Sequence, residues 1–471
     1  MKVFFYQQIV LALIVVFTLS GCAVGPDYVR PEMDIPPEYR EPIAGWKYAT
    51  PSDDQLSETW WTLYRDETLA RLIKAIDVDN QSLKATEARY RQARALLASA
   101  QSGLFPTLDG GVSASRAQGS GNQSSLGNQY NFSLNASWNI DLWGRVRRDI
   151  EAQRANVELG KAELDALRLS LQTTLAQTYF QLRTTDARIK LMDEIVAAYQ
   201  TSHEMTLNRY NAGIVTRSDV SQALTQLEGA RTQRIDLDLA RAQSEHALAL
   251  LIGRTPSQFS LETDGSTLLL LPEIPVAVPS QILERRPDIA SAERAVASAN
   301  ANIGIAQAAF YPSLILSASG GYRADHWSDW FDVPSRIWSL GASLAQYIFD
   351  GGQREAARQA VIASYDATVA TYKQTVLTAF GEVENNLTAL RVLDDEMYSQ
   401  QATLRAARET ETLTLNQYKA GTTTYLNVVI AQTARLNAEN NQIQLRGRQL
   451  AATASLINAL GGGWQGIKID P

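Results

Sequence analysis

The chain has a single cysteine, Cys22, in 471 residues. No disulfide can form within it, so stability in an oxidising compartment must come from packing or assembly. Its three histidines, His203, His246 and His326, lie far apart and never three or four positions from one another, which argues against a histidine-based metal site. The methionines, at 1, 33, 192, 205 and 397, form no Met/His cluster of the kind a dedicated copper exporter would carry. Charge of neither sign dominates: 43 Lys and Arg face 50 Asp and Glu, a formal net charge of −7. That balance speaks against a nucleic-acid partner. After residue 19 no apolar run approaches 18 residues, so no transmembrane helix is expected. No nucleophile–base pair, phosphate-binding loop or metal motif stands out, so the chain does not read as an enzyme and no cofactor is expected.

Proline is missing from two long windows, 107–255 and 335–470. Both are rich in Ala, Leu, Gln, Glu and Arg, which favour helix. Six of the fifteen prolines fall instead at 26, 31, 36, 37, 42 and 51, marking an extended N-terminal segment, and another six between 256 and 312, around a central connector.

The N-terminus is informative. Lys2 precedes an apolar core, Ile9–Leu19, and Ser20-Gly21 precede the lone thiol. Eleven apolar residues are too few to cross a hydrocarbon layer of about 30 Å, so residues 1–21 read as a signal peptide. Leu19-Ser20-Gly21-Cys22 resembles a bacterial lipobox, in which Cys22 becomes the lipid-modified first residue. Ala23, in place of Asp, favours the outer membrane of a Gram-negative cell. Loss of Lys2 takes the mature charge from −7 to −8.

The two proline-free windows repeat one another. Tyr210-Asn211-Ala212-Gly213 recurs as Tyr418-Lys419-Ala420-Gly421, an offset of 208 that also relates Gly144 to Gly352, Thr216 to Thr424 and Val220 to Val428. Phe105-Pro106-Thr107-Leu108 recurs as Tyr311-Pro312-Ser313-Leu314 at an offset of 206. A near-constant offset over such a length indicates duplication, with a small length difference between Pro106 and Gly144.

Each half predicts a helix, two strands, a very long helix, a glycine turn and a second long helix. Phe132, Leu134, Ala136, Trp138, Ile140 and Leu142 alternate with Asn131, Ser133, Asn135, Ser137, Asn139 and Asp141, a period-2 strand with one apolar and one polar face. Its expected mate is 107–118, and the second half supplies 313–322 and 336–349. A soluble sandwich or a membrane barrel, apolar outside and polar within, would both give this pattern; strands of about ten residues with aromatics near their ends fit the barrel better. Four strands cannot close a barrel, since the smallest use about eight, and an open edge cannot face lipid, so a barrel must be shared between subunits. Arg145–Tyr210 and Gln353–Tyr418 each read as one helix of 66 residues, roughly 100 Å long, suited to packing as a wall. Arg285-Arg286-Pro287-Asp288 reads as a helix start, with Asp288 and Glu293 complementing the helix dipole.

At this point the chain resembles the TolC-like outer-membrane factors, in particular the lipoprotein branch serving multidrug (RND-type) efflux pumps. The resemblance rests on Cys22-Ala-Val-Gly25-Pro26-Asp27-Tyr28-Val-Arg-Pro31, Trp60-Trp61, Leu283-Glu-Arg285-Arg286-Pro287-Asp288-Ile289 with Ala292-Glu293, Phe310-Tyr311-Pro312-Ser313-Leu314 and Leu460-Gly461-Gly462-Gly463-Trp464. It implies a mainly α fold with a membrane β-barrel: long helical hairpins forming a periplasmic tunnel, and four strands per protomer in a shared 12-stranded barrel. It also implies a homotrimer in the outer-membrane lipid, coupled through a periplasmic adaptor (membrane fusion protein) to an inner-membrane efflux transporter, with a covalent lipid on Cys22. The function implied is an exit duct for drugs or other small toxic compounds. A lipid-anchored coiled-coil structural or adhesion protein without a pore is the alternative.

The expected organisation is 1–21 signal peptide, 22–55 lipid-anchored extended segment, 56–255 first repeat, 256–279 equatorial connector, 280–463 second repeat and 464–471 tail. The glycine turns should form periplasmic tips, with Ala212, Gly213, Ile214, Ala420, Gly421 and Thr422 offered to adaptor helices. Thr216 and Asp219 read as a capping box, with Thr424 and Asn427 at the matching places. The family places a hydrophobic residue and, four positions on, a carboxylate at the closed aperture. Here these positions are Leu426 and Ile430, so the periplasmic gate, to which Asn427 and Asp219 are also assigned, lacks that carboxylate and would close by dewetting.

Overall fold

The computed structural model describes residues 23–33, 59–118, 126–263, 270–272 and 285–464. Cys22, most of the connector and the tail after Trp464 lie outside the described residues. Helices α1 (Glu67–Asp79) and α2 (Gln81–Ser102) lead into strands β1 (Thr107–Gln118) and β2 (Leu126–Ile140), then helices α3 (Arg145–Asn211) and α4 (Arg217–Leu251). The second half runs α5 (Pro287–Ala308), β3 (Ser313–Ala324), β4 (Arg336–Ala345), α6 (Gln353–Lys419) and α7 (Tyr425–Ala459).

The duplication holds element by element. Helices α2 and α5 are 22 residues each at an offset of 206, as are β1 and β3 with 12 each. Helices α3 and α6 are 67 residues each at an offset of 208, and α4 and α7 are 35 each at the same offset. The length difference therefore falls after Gln118, in the hairpin loops and their return strands.

The chain forms two compact units, one of Met1–Met33, Ala88–Lys161 and Ser291–Gln374, the other of Asp34–Glu87, Ala162–Ala290 and Thr375–Pro471. In the first, the four strands make one antiparallel sheet in the order β1-β2-β3-β4. Strand β2 starts earlier than the alternation suggests and ends at Ile140. Asp141, read as a polar-face strand residue, instead accepts from the N–H groups of Val146 and Arg147, both at 3.0 Å, and caps α3. Strand β4 stops at Ala345 rather than 349. Beyond it the Tyr347 carbonyl is taken by Arg354 at 3.1 Å, and Gly351 and Gly352, at φ 63° and 89°, turn the backbone into α6. Asp350 caps that helix. The Arg354 side chain, 2.6 Å away, and the Arg354 and Gly352 N–H groups hold its carboxyl below the usual range.

The second unit has its core around Trp60, Trp61, Tyr64, Phe180 and the apolar stripe Leu69, Leu72, Ile73 and Ile76 of α1, spaced for one helix face. Here the repeat explains two sequence motifs. Gly253 and Gly461 follow the second long helix of each half, at φ 72° and 89°, and a Cβ on either would lie 2.1 Å from the Asp79 carbonyl oxygen or 1.8 Å from that of Arg285. Asn80 Nδ2 donates to the Leu251 carbonyl at 2.7 Å, and Arg286 Nη1 to the Ala459 carbonyl at 3.1 Å. Asp79 and Arg285 are equivalent at offset 206, Leu251 and Ala459 at offset 208. The Arg-Arg-Pro-Asp and Gly-Gly-Gly-Trp motifs are thus two sides of one junction. Arg286 is buried and also pairs with Asp288 at 2.7 Å and Glu382 at 2.8 Å.

Candidate functional site

The register of the sheet sorts its residues into two chemistries. Even-numbered positions of all four strands share a face, because Leu108 pairs with Ala136, Ala136 with Ala318, and Ala318 with Leu340. That face carries Leu108, Val112, Tyr130, Phe132, Leu134, Trp138, Ile140, Leu314, Leu316, Trp338, Leu340 and Leu344. The other face carries Ser113, Asn131, Ser133, Asn135, Ser137, Asn139, Ser317, Ser319, Ser339 and Ser343. Among the described residues no core covers the apolar face: Leu108 is 69 % exposed, Trp338 74 % and Leu340 75 %. An uncovered apolar sheet face rules out the interior of a soluble sandwich and marks a surface for lipid. From Tyr130 to Ile140, at 3.4 Å per residue and a tilt of about 40°, the band is about 25 Å tall.

Aromatic residues gather at both ends of the band. At the hairpin end Trp327 and Trp330, with centroids 4.9 Å apart, pack against Tyr130, and Phe331 packs on Trp330, Phe132 and Tyr322. At the other end Trp143 stacks on Tyr311 at 4.7 Å and donates through Nε1 to the Pro312 carbonyl at 2.8 Å. Two aromatic girdles flank membrane barrels in this way. Among the described residues, strands β1 and β4 each keep one unpaired edge.

Beside the second girdle lies the segment that follows Cys22. The Val24 N–H donates to the Trp143 carbonyl at 3.1 Å, and a Cβ on Gly144, at φ 79°, would come within 2.6 Å of the Ala23 Cβ. Arg148, buried, donates to the Val24 and Gly25 carbonyls at 3.2 Å and to Asp27 at 2.9 Å. Asn300 holds the Pro26 carbonyl at 3.0 Å, and the Tyr28 hydroxyl donates to Glu293. Glu293, read from the sequence as complementing a helix dipole, instead holds this tyrosine and pairs with Arg294 at 2.6 Å. Burial, and then Glu293, push the Tyr28 phenol well above its ordinary value. Gly25, at φ 102°, rests on Gly304, whose Cα would be 2.5 Å from a Gly25 Cβ. The Gly-Pro-Asp-Tyr motif is therefore a strap tied down by contacts more than 120 residues away in sequence. Residue 23 is held at the strand-to-helix junction, which places the start of the described chain beside the aromatic girdle.

In the second unit the two glycine turns have the same geometry. The Ile214 N–H reaches the Arg209 carbonyl at 2.9 Å and the Thr422 N–H reaches that of Gln417 at 3.0 Å, with Gly213 and Gly421 left-handed at φ 73° and 77°. Ala212, Gly213, Ile214, Ala420, Gly421 and Thr422 are all exposed. Thr216 and Asp219 form the reciprocal capping box: Asp219 Oδ2 accepts from the Thr216 N–H at 3.0 Å and Thr216 Oγ1 from the Asp219 N–H at 3.4 Å. The match in the second half is incomplete. Thr424 holds the N-cap position without a side-chain bond, because Asn427 donates instead to Thr423 Oγ1 at 2.8 Å. An amide in place of a carboxylate has lost half its acceptors to donors.

Around these turns Tyr418 and Tyr425 are buried, with ring centroids 5.3 Å apart. Arg209 caps the Tyr418 ring at 4.7 Å and donates to its carbonyl at 3.1 Å, while the Tyr425 hydroxyl meets Ser202 Oγ at 3.0 Å. Burial pushes the Tyr425 phenol up, with nearby Tyr418 and Asp219 adding to it. On the opposite side of α7 Leu426 is 51 % and Ile430 59 % exposed, and Asn427 is exposed between them. The structure thus brings Leu426, Asn427 and Ile430 onto one open face and places Asp219 in the cap of the other hairpin. No group of three metal-ligating side chains occurs among the described residues.

Comparison with known proteins agrees with this geometry. The family model for outer membrane efflux proteins matches residues 72–254 and 278–462, one segment in each repeat. The chain is 30 % identical over 457 residues to the antibiotic efflux pump outer membrane protein ArpC of Pseudomonas putida, covering 95 % of this chain and 94 % of that one. It is 29 % identical over 455 residues to the cation efflux system protein CusC of Escherichia coli, covering 97 % and 98 %. The solved structure of the outer-membrane channel OprN superposes with a TM-score of 0.88 at 29 % identity, covering 94 % of this chain and all of that one. The chain belongs to the outer membrane efflux protein family.

Proposed function

We propose that three copies of this chain close a 12-stranded barrel in the outer membrane and form the exit duct of a tripartite efflux system, passing small toxic organic compounds rather than acting on them chemically. The observation that carries this reading is the sheet: an uncovered apolar face, a hydroxyl- and amide-lined opposite face, and two free edges. Lipid tolerates no open edge, so β1 of one copy must pair with β4 of another. The exposed turns at Ala212–Ile214 and Ala420–Thr422 are suited to close approach by helices of a periplasmic adaptor, which links the duct to an inner-membrane transporter. Leu426 and Ile430 form the resting constriction. Cys22 carries the lipid, and the strap from Ala23 to Arg30 supports this by bringing the chain to the aromatic girdle where acyl chains enter the bilayer. For cargo, the relationship to ArpC and the scarcity of methionine favour organic drugs over the cations that CusC is named for.

Native mass spectrometry of detergent-purified protein tests the assembly and the anchor together. The expected species is a trimer in which each copy begins at Cys22 and bears acyl chains. A monomer would overturn the shared barrel, and a trimer without acyl mass would overturn the anchor alone.

A further inference from the structure

The apolar face of the sheet contains two charged residues. Across all even-numbered positions of β1 to β4, only Arg116 and Arg336 break the run of apolar, small and amide side chains. Both lie on the edge strands, Arg116 in β1 and Arg336 as the first residue of β4. Both lie at the same end of the sheet, the hairpin end, away from the strap at Ala23. Both are exposed, and neither makes an ion pair with any described residue. The undescribed loop next to Arg116, residues 119–125, is Gly-Ser-Gly-Asn-Gln-Ser-Ser and has no carboxylate to offer. Three acids, Asp325, Asp329 and Asp332, occupy the β3–β4 connection, yet none is bonded to Arg336; Asp329 is engaged by the Ser328 hydroxyl at 2.6 Å.

A cation on a lipid-facing surface is costly unless it reaches the headgroup level, where a long side chain can snorkel. The aromatic residues fix that level. Trp338, two positions inward of Arg336 on the same face, is exposed, as are Trp327 and Phe331 of the adjoining connection. Arg336 stands level with Tyr322 and Phe132, two residues inside the hairpin end of the apolar band, within reach of its polar edge for a long side chain. Barrel closure adds a second element, and this step rests on the proposed shared barrel: joining a β4 edge to the β1 edge of the next copy brings Arg336 of one protomer and Arg116 of its neighbour onto adjoining strands at one rim. Two guanidiniums facing outward on adjoining strands, with no carboxylate bonded to either, favour bidentate capture of phosphate.

We propose that this inter-subunit arginine pair binds the phosphorylated headgroup of an outer-leaflet lipid, so that each of the three seams of the barrel is closed by a lipid as well as by backbone hydrogen bonds.

The test uses full-length purified protein reconstituted in vesicles of digalactosyldiacylglycerol, a neutral bilayer lipid without phosphate, with or without a fifth of the lipid replaced by anionic phosphatidylglycerol, and follows the temperature at which oligomer dissociates to monomer. The wild type is expected to dissociate several degrees higher with the anionic lipid, and R116Q/R336Q to lose that rise while dissociating at the wild-type temperature in neutral vesicles. Inorganic phosphate added to neutral vesicles should give no rise; a rise equal to that from anionic lipid would overturn a lipid in favour of a free anion. An equal rise in wild type and R116Q/R336Q overturns the proposal. If the double variant does not assemble, R116K/R336K serves in its place: it keeps charge but not the planar fork, so a reduced rise supports the site and an undiminished one overturns bidentate capture. Absence of any wild-type oligomer in neutral vesicles would instead count against the shared barrel itself.

Discussion

Asp219 and Arg286 look alike in the sequence, as charges beside the start of a helix, and both make local structural ties. Asp219 closes a reciprocal box with Thr216, while Arg286 joins Asp288, Glu382 and the Ala459 carbonyl. Leu426 and Ile430 are the opposite case, apolar residues exposed among the described residues. Residues of such different standing should respond differently. Asp219→Ala should cost about 1 kcal/mol through its cap and leave the outer membrane tight. Leu426→Ser with Ile430→Ser should leave stability within about 1 kcal/mol, since both side chains are already exposed, but should wet the proposed constriction and raise sensitivity to large antibiotics normally held out. Susceptibility of cells expressing each variant checks this. Leakage with Asp219→Ala and none with the double serine would replace the apolar gate with an acidic one.

At the scale of elements, the repeat turns one junction into an internal control. Gly253 and Gly461 are equivalent, left-handed, and pressed against the backbone of Asp79 and Arg285. Gly253→Ala and Gly461→Ala should each cost about 2–4 kcal/mol, combining close contact with the left-handed penalty, and by similar amounts. Thermal denaturation of the two variants measures it. Much of this level was legible beforehand. The bounds of β1, α4 and α7 follow from proline, glycine and capping residues, which are local signals. Strand β4 ran long in the sequence because Tyr347, Ile348 and Phe349 continue an apolar stretch; only Arg354, reaching back to the Tyr347 carbonyl, shows where pairing stops. Thr424 read as a cap by analogy with Thr216, but Asn427 bonds Thr423 instead. The ties of Arg148 to Asp27 and Tyr28 to Glu293 were invisible, since residues 121 and 265 apart leave no periodic trace. The Arg-Arg-Pro-Asp motif was recognisable as a helix start, whereas its partner, the C-terminal glycine run, emerged only from the backbone contact at Arg285.

At the scale of the whole molecule, the decisive property is incompleteness. A soluble protein hides an apolar sheet face and caps its edges; among the described residues this chain does neither, and its apolar band matches the thickness of a membrane barrel. A pore-free coiled-coil anchor would have no use for a sheet with one lipid-compatible face and one water-compatible face. The most direct test is single-channel recording of the purified protein in a planar lipid bilayer. Discrete, uniform conductance steps are expected, small for the wild type and clearly larger for Leu426→Ser with Ile430→Ser, because the same pore is wetted at its proposed constriction. An intact bilayer with no steps from either protein, at concentrations where both are trimeric, would contradict the proposed pore.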